Sequence, residues 1–414
     1  MSSSVDEQKT FDLLLEKLTY GGDAMGHLKD GRAVFVPFGL PGERARIRLT
    51  EEKRGFARGE LLEILEASPH RISPRCIHFG VCGGCHYQHL AYADQLKAKT
   101  EILRDQLVRI GKMENPPVRE MVACPSPWNY RNHVQFHLTD DGKLGYVTAQ
   151  NPSVFPIVEC HLPEGSINSF WPELAFEPDT AISRVSVRAG KEDDLMLVLE
   201  SDSPEPPEME IEADVSVAHV YAENTVVVAG NDHTILSVLS RDFRVSATSF
   251  FQVNTAMAEK MVNHLLARLP LTQSPTLLDI YCGAGLFSAF LAPRCGRVIG
   301  IESSPSACED FVFNLDEFDH VELYEGAAEE VVPHLEANPD IVLVDPPRLG
   351  LEKLVVDGIL KLSPPVIAYV SCDPSTLARD AARLINGGYR LREVTPFDLF
   401  PQTFHIESIS LFER

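Results

Sequence analysis

Long apolar runs are missing from this 414-residue chain. None approaches the ~18 residues that a bilayer-spanning helix needs, and the polar, acidic opening Met1 to Thr10 has no apolar core of secretory-signal type. Membrane insertion and export are therefore excluded, and a cytoplasmic protein is expected. Cysteine is sparse as well. Nine in 414 residues do not make a secreted disulfide scaffold, so in a reducing compartment each must be buried, ligating or catalytic, and spacing sorts them. Positive charge is also in short supply: 37 Lys and Arg stand against 60 Asp and Glu, a net of −23. Taken whole, that balance argues against a phosphate-rich partner, which is gripped by dense Lys and Arg. No internal repeat is present.

The deficit is uneven. Residues 1–134 hold 19 basic and 17 acidic side chains, whereas residues 135–414 hold 18 basic and 43 acidic. The acidity belongs to the later part, and the first third remains free to meet an anion.

What is present falls into three stretches. From Phe11 to Arg71, short alternating segments are broken by turn residues at Tyr20-Gly21-Gly22 and Gly39-Leu-Pro-Gly-Glu43, the pattern of a small β-barrel. Residues 72–120 carry Cys76, Cys82, Gly83, Gly84 and Cys85 in a compact loop, followed over Tyr87 to Lys112 by apolar residues at helical spacing. Residues 121–245 are strand-rich and acidic, with Asp202 to Glu212 reading as an exposed proline-laden loop. From Thr276 onward, apolar strands alternate with amphipathic helices, which predicts a parallel sheet covered on both faces, with ligands at the carboxyl ends of its strands. The expected division is 1–70, 71–245 and 246–414.

Two glycines mark the first strand-to-helix turn of that last part, in Asp279-Ile-Tyr281-Cys-Gly283-Ala-Gly285. Glu302 ends the next strand, where a carboxylate can accept hydrogen bonds from ribose hydroxyls. The third glycine of a dinucleotide fingerprint is missing, and the segment resembles instead the first motif of S-adenosylmethionine-dependent methyltransferases. A tight turn without a ligand is the competing reading.

Cys372 closes the fifth strand in Ser371-Cys372-Asp-Pro. Asp373-Pro-Ser caps the following helix, whose N-terminal partial charge is expected to favour thiolate. Beside a methyl donor, a thiolate has a specific use: addition at C6 of uracil makes C5 nucleophilic towards a sulfonium methyl, and a base must then take the C5 proton. Glu407 lies in an apolar strand pattern near the C-terminus. Burial would raise its pKa towards that role, while an edge strand would leave it facing water. Asp345-Pro-Pro-Arg348 follows the fourth strand; DNA adenine methyltransferases place an aromatic where Arg348 stands, and RNA 5-methylcytosine enzymes add a second cysteine that this segment lacks.

Together with Phe250-Phe-Gln252-Val-Asn254 and His405-Ile-Glu407, these motifs resemble the RNA 5-methyluridine methyltransferase family over nearly the whole chain. The resemblance implies that Gln252, Tyr281, Gly283, Gly285, Glu302 and Asp345 bind S-adenosylmethionine, that Cys372 is the nucleophile and that Glu407 accepts the proton. Leu286 stands where the family commonly has an asparagine near the cofactor. The N-terminal barrel is similar to a TRAM domain, through Tyr20-Gly-Gly-Asp, Gly31-Arg-Ala-Val-Phe-Val-Pro and Pro41-Gly-Glu. Arg44, Arg46, Arg48, Lys53, Arg54 and Arg58, near Phe56, are its expected RNA-gripping face, with a solvated strand face as the alternative.

Cys76, Cys82 and Cys85 are spaced to ligate a metal, either zinc or an iron-sulfur cluster. A fourth thiolate comes from Cys160 or Cys124. The resemblance implies Cys160 and a [4Fe-4S] cluster, as in the branch that modifies ribosomal RNA.

The expectation is thus an α/β protein with a Rossmann-like methyltransferase domain, an N-terminal OB-like TRAM barrel and a central α+β region. It would methylate C5 of a uridine in RNA, foremost 23S ribosomal RNA, without membrane involvement; nothing points to a protein partner. A tRNA uridine-5 methyltransferase and a non-catalytic iron-sulfur RNA-binding protein are the competing readings.

Overall fold

The computed structural model describes residues 10–149, 151–178, 180–210 and 214–414. The polar opening segment up to residue 9 and part of the acidic proline-rich stretch, residues 211–213, lie outside them.

Five strands, β1 (Thr10–Leu18), β2 (Ala24–His27), β3 (Ala33–Val36), β4 (Arg44–Glu52) and β5 (Phe56–Glu66), close into a barrel in the order β1-β2-β3-β5-β4. Alternation explains its inside: Leu13, Leu15, Val34, Val36, Ala45 and Ile47 are buried while their neighbours along each strand face outward. Helix α1 (Tyr92–Arg109) follows the cysteine loop. Its buried Ile102, Leu103 and Leu107 belong to the same apolar cluster as the barrel core and one face of the C-terminal sheet. That continuity seats the barrel against the C-terminal part of the chain.

The central region is a seven-stranded sheet of order β12-β11-β10-β9-β6-β7-β8, from β6 (His133–Leu138), β7 (Leu144–Val147), β8 (Val154–Pro156), β9 (Ile182–Ala189), β10 (Leu195–Ser201), β11 (Ser216–Tyr221) and β12 (Asn224–Ala229), with α2 (Gly165–Phe170) between β8 and β9. A hairpin, β13 (His233–Val238) with β14 (Arg241–Ser246), leads into α3 (Thr255–Arg268), which Asn254 caps by accepting the Met257 N–H.

The last part alternates β15 (Thr276–Ile280), α4 (Leu286–Leu291), β16 (Arg297–Glu302), α5 (Pro305–Asn314), β17 (Val321–Glu325), α6 (Ala328–Val331), β18 (Ile341–Val344), α7 (Lys353–Leu362), β19 (Val366–Ser371) and α8 (Pro374–Asn386). Strands β15 to β19 pair in parallel; β15, β16, β18 and β19 are largely buried on both faces, which is why they read as apolar runs, while β17 at the sheet edge is half-exposed. The sheet is not wholly parallel, however. Two antiparallel strands, β20 (Arg390–Phe397) and β21 (Glu407–Glu413), extend it in the order β17-β16-β15-β18-β19-β21-β20. The chain passes β21 back between β19 and β20, so β21 is interior. Glu407 therefore does not face water: it is 4% exposed.

No helix among the described residues is long and apolar enough to cross a membrane.

Candidate active site and cysteine cavity

The site forms where β15, β16, β18 and β19 end. Gly285, at φ +86°, starts α4, and a Cβ there would stand 2.4 Å from Leu315 Cδ1, so only glycine lets the turn pack against α5. Above Gly283 the space is open, and its N–H donates to Glu302 Oε2 at 2.9 Å, while the N–H groups of Ser303 and Ser304 donate to Oε1. Glu302 is thereby pinned at the end of β16. Tyr281 follows β15 in a left-handed conformation, φ 67°, a strained state for a bulky residue and one that functional sites often hold. Gln252 is buried beside Asn254, and Phe250, two residues earlier, is 68% exposed.

The acids of the site crowd one another. Asp279 is 1% exposed; its Oδ2 accepts from Ser288 Oγ at 2.6 Å, and its Oδ1 has no partner. Burial, with Glu302 adding repulsion, pushes its pKa up to about 7. Asp345, for burial and for the charge of Asp279, also rises to about 7. Burial and Asp345 raise Glu407 well above the carboxylate range against the pull of Arg348. A buried set of carboxyls that suppress each other's ionisation, one with an unpaired oxygen, is a site for a cationic ligand. S-adenosylmethionine, with its sulfonium and ammonium, fits it.

Cys372 follows β19, half-buried. Asp373 caps α8, its Oδ1 accepting from the N–H groups of Ser375 and Thr376 at 2.8 and 3.0 Å. The surroundings oppose the thiolate that the cap was expected to favour: burial first, then Glu407 and Asp345, push the Cys372 thiol up to about 12, with Arg348 opposing.

In the sequence Asp279 stands out only as a motif residue without a role, and Tyr20 only as part of the barrel's turn motif. The barrel's Tyr20 hydroxyl donates to Asp373 Oδ2 at 2.8 Å, reaching the residue beside Cys372. The unpaired carboxyl of Asp279 was detectable in principle as an acid inside an apolar strand; Tyr20 carries no local signal, because its contact spans 353 positions.

The arginine face is also different from expectation. Arg46 is held by Asp12 and Glu63, Arg48 by Glu60, Arg58 by Asp23 and Glu51, Arg44 by Glu66, and Lys53 by Glu51. Most of these pairs join neighbouring strands, since cross-strand pairing puts opposite charges side by side; Arg54 is exposed and stands outside them.

Cys76, Cys82, Cys85 and Cys160 line one cavity of about 170 Å³. Cys124 lies elsewhere, its thiol donating to Ser126 O at 3.0 Å, so the fourth cysteine of the group is Cys160. Burial raises all four thiols, Cys82 to about 11 and Cys85 to about 12, and repulsion from neighbouring thiols adds to the rise at Cys76, Cys82 and Cys85. Among the described residues, no three His, Cys, Asp or Glu side chains converge closely enough to hold a single metal ion. The Gly84 N–H donates to Cys82 Sγ at 3.3 Å.

Comparison with known proteins agrees with this geometry. The family described as tRNA (Uracil-5-)-methyltransferase matches residues 215–414, and the TRAM domain matches residues 5–62. An uncharacterized RNA methyltransferase of Thermosynechococcus vestitus is 33% identical, covering 97% of both chains, and one of Halalkalibacterium halodurans is 33% identical over 99% of this chain and 98% of its own. A crystal structure of Pyrococcus abyssi tRNA (uracil-54, C5)-methyltransferase in complex with S-adenosyl-L-homocysteine superposes with a TM-score of 0.73 at 25% identity, covering 97% of this chain and 100% of that one.

Proposed function

Because the chain belongs to the RNA uracil-5-methyltransferase family, whose members use S-adenosylmethionine, we propose that it methylates C5 of a uridine in 23S ribosomal RNA through a covalent adduct at Cys372. The observation that carries this reading is the meeting of Cys372, the buried Glu407, Asp345 and Arg348 at the strand ends.

Asp279 and Asp345 would hold the cationic end of the donor, Glu302 its ribose, and Gln252, Tyr281, Gly283 and Gly285 the rest. Bound there, S-adenosylmethionine supplies a methyl group on sulfonium. The protein's own work lies on either side of that transfer. Cys372 gives its proton to solvent water and, as thiolate, adds to C6 of a uracil drawn out of its stack; the C5–C6 π electrons move onto C5 and O4 as an enolate. After C5 has been methylated, Glu407 takes the C5 proton, the C6–S bond breaks and Cys372 leaves as thiolate. Arg348 offsets the negative charge that accumulates near both groups. The cytoplasm, where RNA and the methyl donor meet, is the proposed location.

Cys76, Cys82, Cys85 and Cys160 would hold a [4Fe-4S] cluster. Methyl transfer from a sulfonium needs no redox partner, so the cluster's part is to fold the loop and present it to RNA. A brown protein carrying about four irons per chain is the expected result; a colourless protein with one zinc sinks it.

Ribosomal RNA is preferred for the four-cysteine cavity together with the barrel. A tRNA uridine is the second reading, favoured by the full-length likeness to the Pyrococcus abyssi enzyme. Nucleoside mass spectrometry of ribosomal and transfer RNA, separated from a strain lacking the gene, decides: 5-methyluridine should vanish from one position of 23S RNA. Loss from tRNA alone selects the second reading, and no loss from either overturns both.

A further inference from the structure

A second cavity, of about 620 Å³, lies at the seam between the barrel and the cysteine loop, lined by Tyr20, Phe35, Phe38, Phe56, Arg58 and His86 among others. Neither Cys372, Asp345 nor Glu407 is in its wall, so it is separate from the reaction site. Its size falls within the roughly 300–1,000 Å³ of small-ligand pockets.

We propose that this cavity binds one unpaired nucleobase of the substrate RNA, held by stacking, on the same strand as the target uridine. The inference rests on the reading of the chain as an RNA methyltransferase and adds a second recognition point to it. The wall is aromatic and half-buried: Phe35 meets Phe56 edge-on at 6.1 Å, Phe38 meets Phe79 at 5.2 Å and Tyr20 meets Phe404 at 5.6 Å. Phe38 is held in a left-handed conformation, φ 62°, which strains a bulky residue. Gly22, φ +95°, lets the barrel loop close on the loop opposite, where a Cβ would stand 3.1 Å from His86 Cβ. The His86 Nδ1 is buried without a hydrogen-bond partner, a want that a base edge can meet. Arg58 and Asp23, 3.3 Å apart, supply one donor and one acceptor group.

The occupant follows from what the barrel has and lacks. Arg44, Arg46, Arg48 and Arg58 are engaged with acids, which leaves Arg54 for phosphates, whereas aromatic faces bind single-stranded bases by stacking without dense charge. The neighbouring site is close by: the Tyr20 hydroxyl, on a residue of this wall, donates to Asp373 beside Cys372. A strand whose target uracil reaches Cys372 passes the cavity mouth.

The test uses the full-length protein and a short single-stranded RNA of random sequence bearing 5-iodouridine. Photocross-links should map to the peptides carrying Tyr20, Phe35 and Phe56, and F35A/F56A should bind the RNA about tenfold more weakly with unchanged affinity for S-adenosylmethionine. F56L, a gentler change, should weaken binding in the same direction if the double variant fails to fold. Cross-links confined to other regions, or unchanged RNA affinity in a variant that still binds S-adenosylmethionine, overturn the proposal. If RNA binds here but no RNA ever gains 5-methyluridine, the proposed function fails and the cavity inference stands; methylation with RNA affinity indifferent to Phe35 and Phe56 gives the reverse.

Discussion

Tyr20 of the barrel and Asp373 of the catalytic domain are joined by a hydrogen bond of 2.8 Å. Asp373 caps α8 with its other oxygen and adjoins Cys372, so a barrel residue braces the nucleophile's loop. A hydrogen bond to a charged group contributes about 1.5–3 kcal/mol. Replacing Tyr20 by Phe should lower the single-turnover methylation rate roughly tenfold while leaving S-adenosylmethionine affinity unchanged; equal losses in both would show that the barrel loop only supports the fold.

The covalent route separates its two ends. Cys372→Ala should abolish methylation and adduct formation alike. Glu407→Gln, which cannot take the C5 proton, should accumulate a protein–RNA adduct that survives denaturing electrophoresis, and prompt product release by that variant would assign the proton to another group.

Donor binding should depend on pH. Asp279 and Asp345 lie at about 7, raised chiefly by burial, so near neutrality the ligand-free carboxyls are partly protonated, and a cation selects the ionised form. Affinity for S-adenosylmethionine should rise as pH climbs through 7 and level off beyond about 8, with proton release visible by calorimetry in buffers of different ionisation heat. Stability runs the other way. Both folded-state pKa values exceed the unfolded value of 3.8, so the ligand-free protein binds more protons folded than unfolded and loses stability from about pH 4 to pH 7. Asp279→Asn should flatten that fall in thermal melts and weaken donor binding.

Lys99 of α1 and Asp398, in the segment between β20 and β21, form an ion pair at 2.6 Å with both side chains fully buried. Lys99 also donates to Phe400 O at 3.0 Å. Lys99→Met strands the carboxylate and should destabilise the protein by about 3–5 kcal/mol, and K99M/D398L should recover most of it. Chemical unfolding of the three proteins checks this; a single variant as stable as the wild type would refute it.

Arg44 and Arg46 are already paired with acids, so Arg44→Ala and Arg46→Ala should alter RNA affinity less than twofold, and the salt slope of binding should be shallow. A large loss, measured by fluorescence anisotropy across a salt series, would restore the arginine face as the grip.

Much of this was legible in local pattern. Alternation marked the barrel strands, apolar runs marked the parallel strands of the catalytic sheet, and Asp279 to Gly285, Glu302 and Cys372 each announced a strand end, because side-chain period and turn chemistry act over a few residues. Only the tertiary structure could choose between partners far apart in the chain. It brought Cys160, not Cys124, to the other three thiols, and by inserting β21 between β19 and β20 it turned Glu407 from an edge residue into a buried one. The same long-range packing buried Cys372 and placed carboxyls beside it, so its thiol rises where a helix end alone would lower it. It also paired most of the barrel arginines with acids and opened the aromatic seam. Charge, burial and pKa are properties of surroundings, and surroundings assembled from distant segments are set by the sum of many weak contacts that no short stretch of sequence contains.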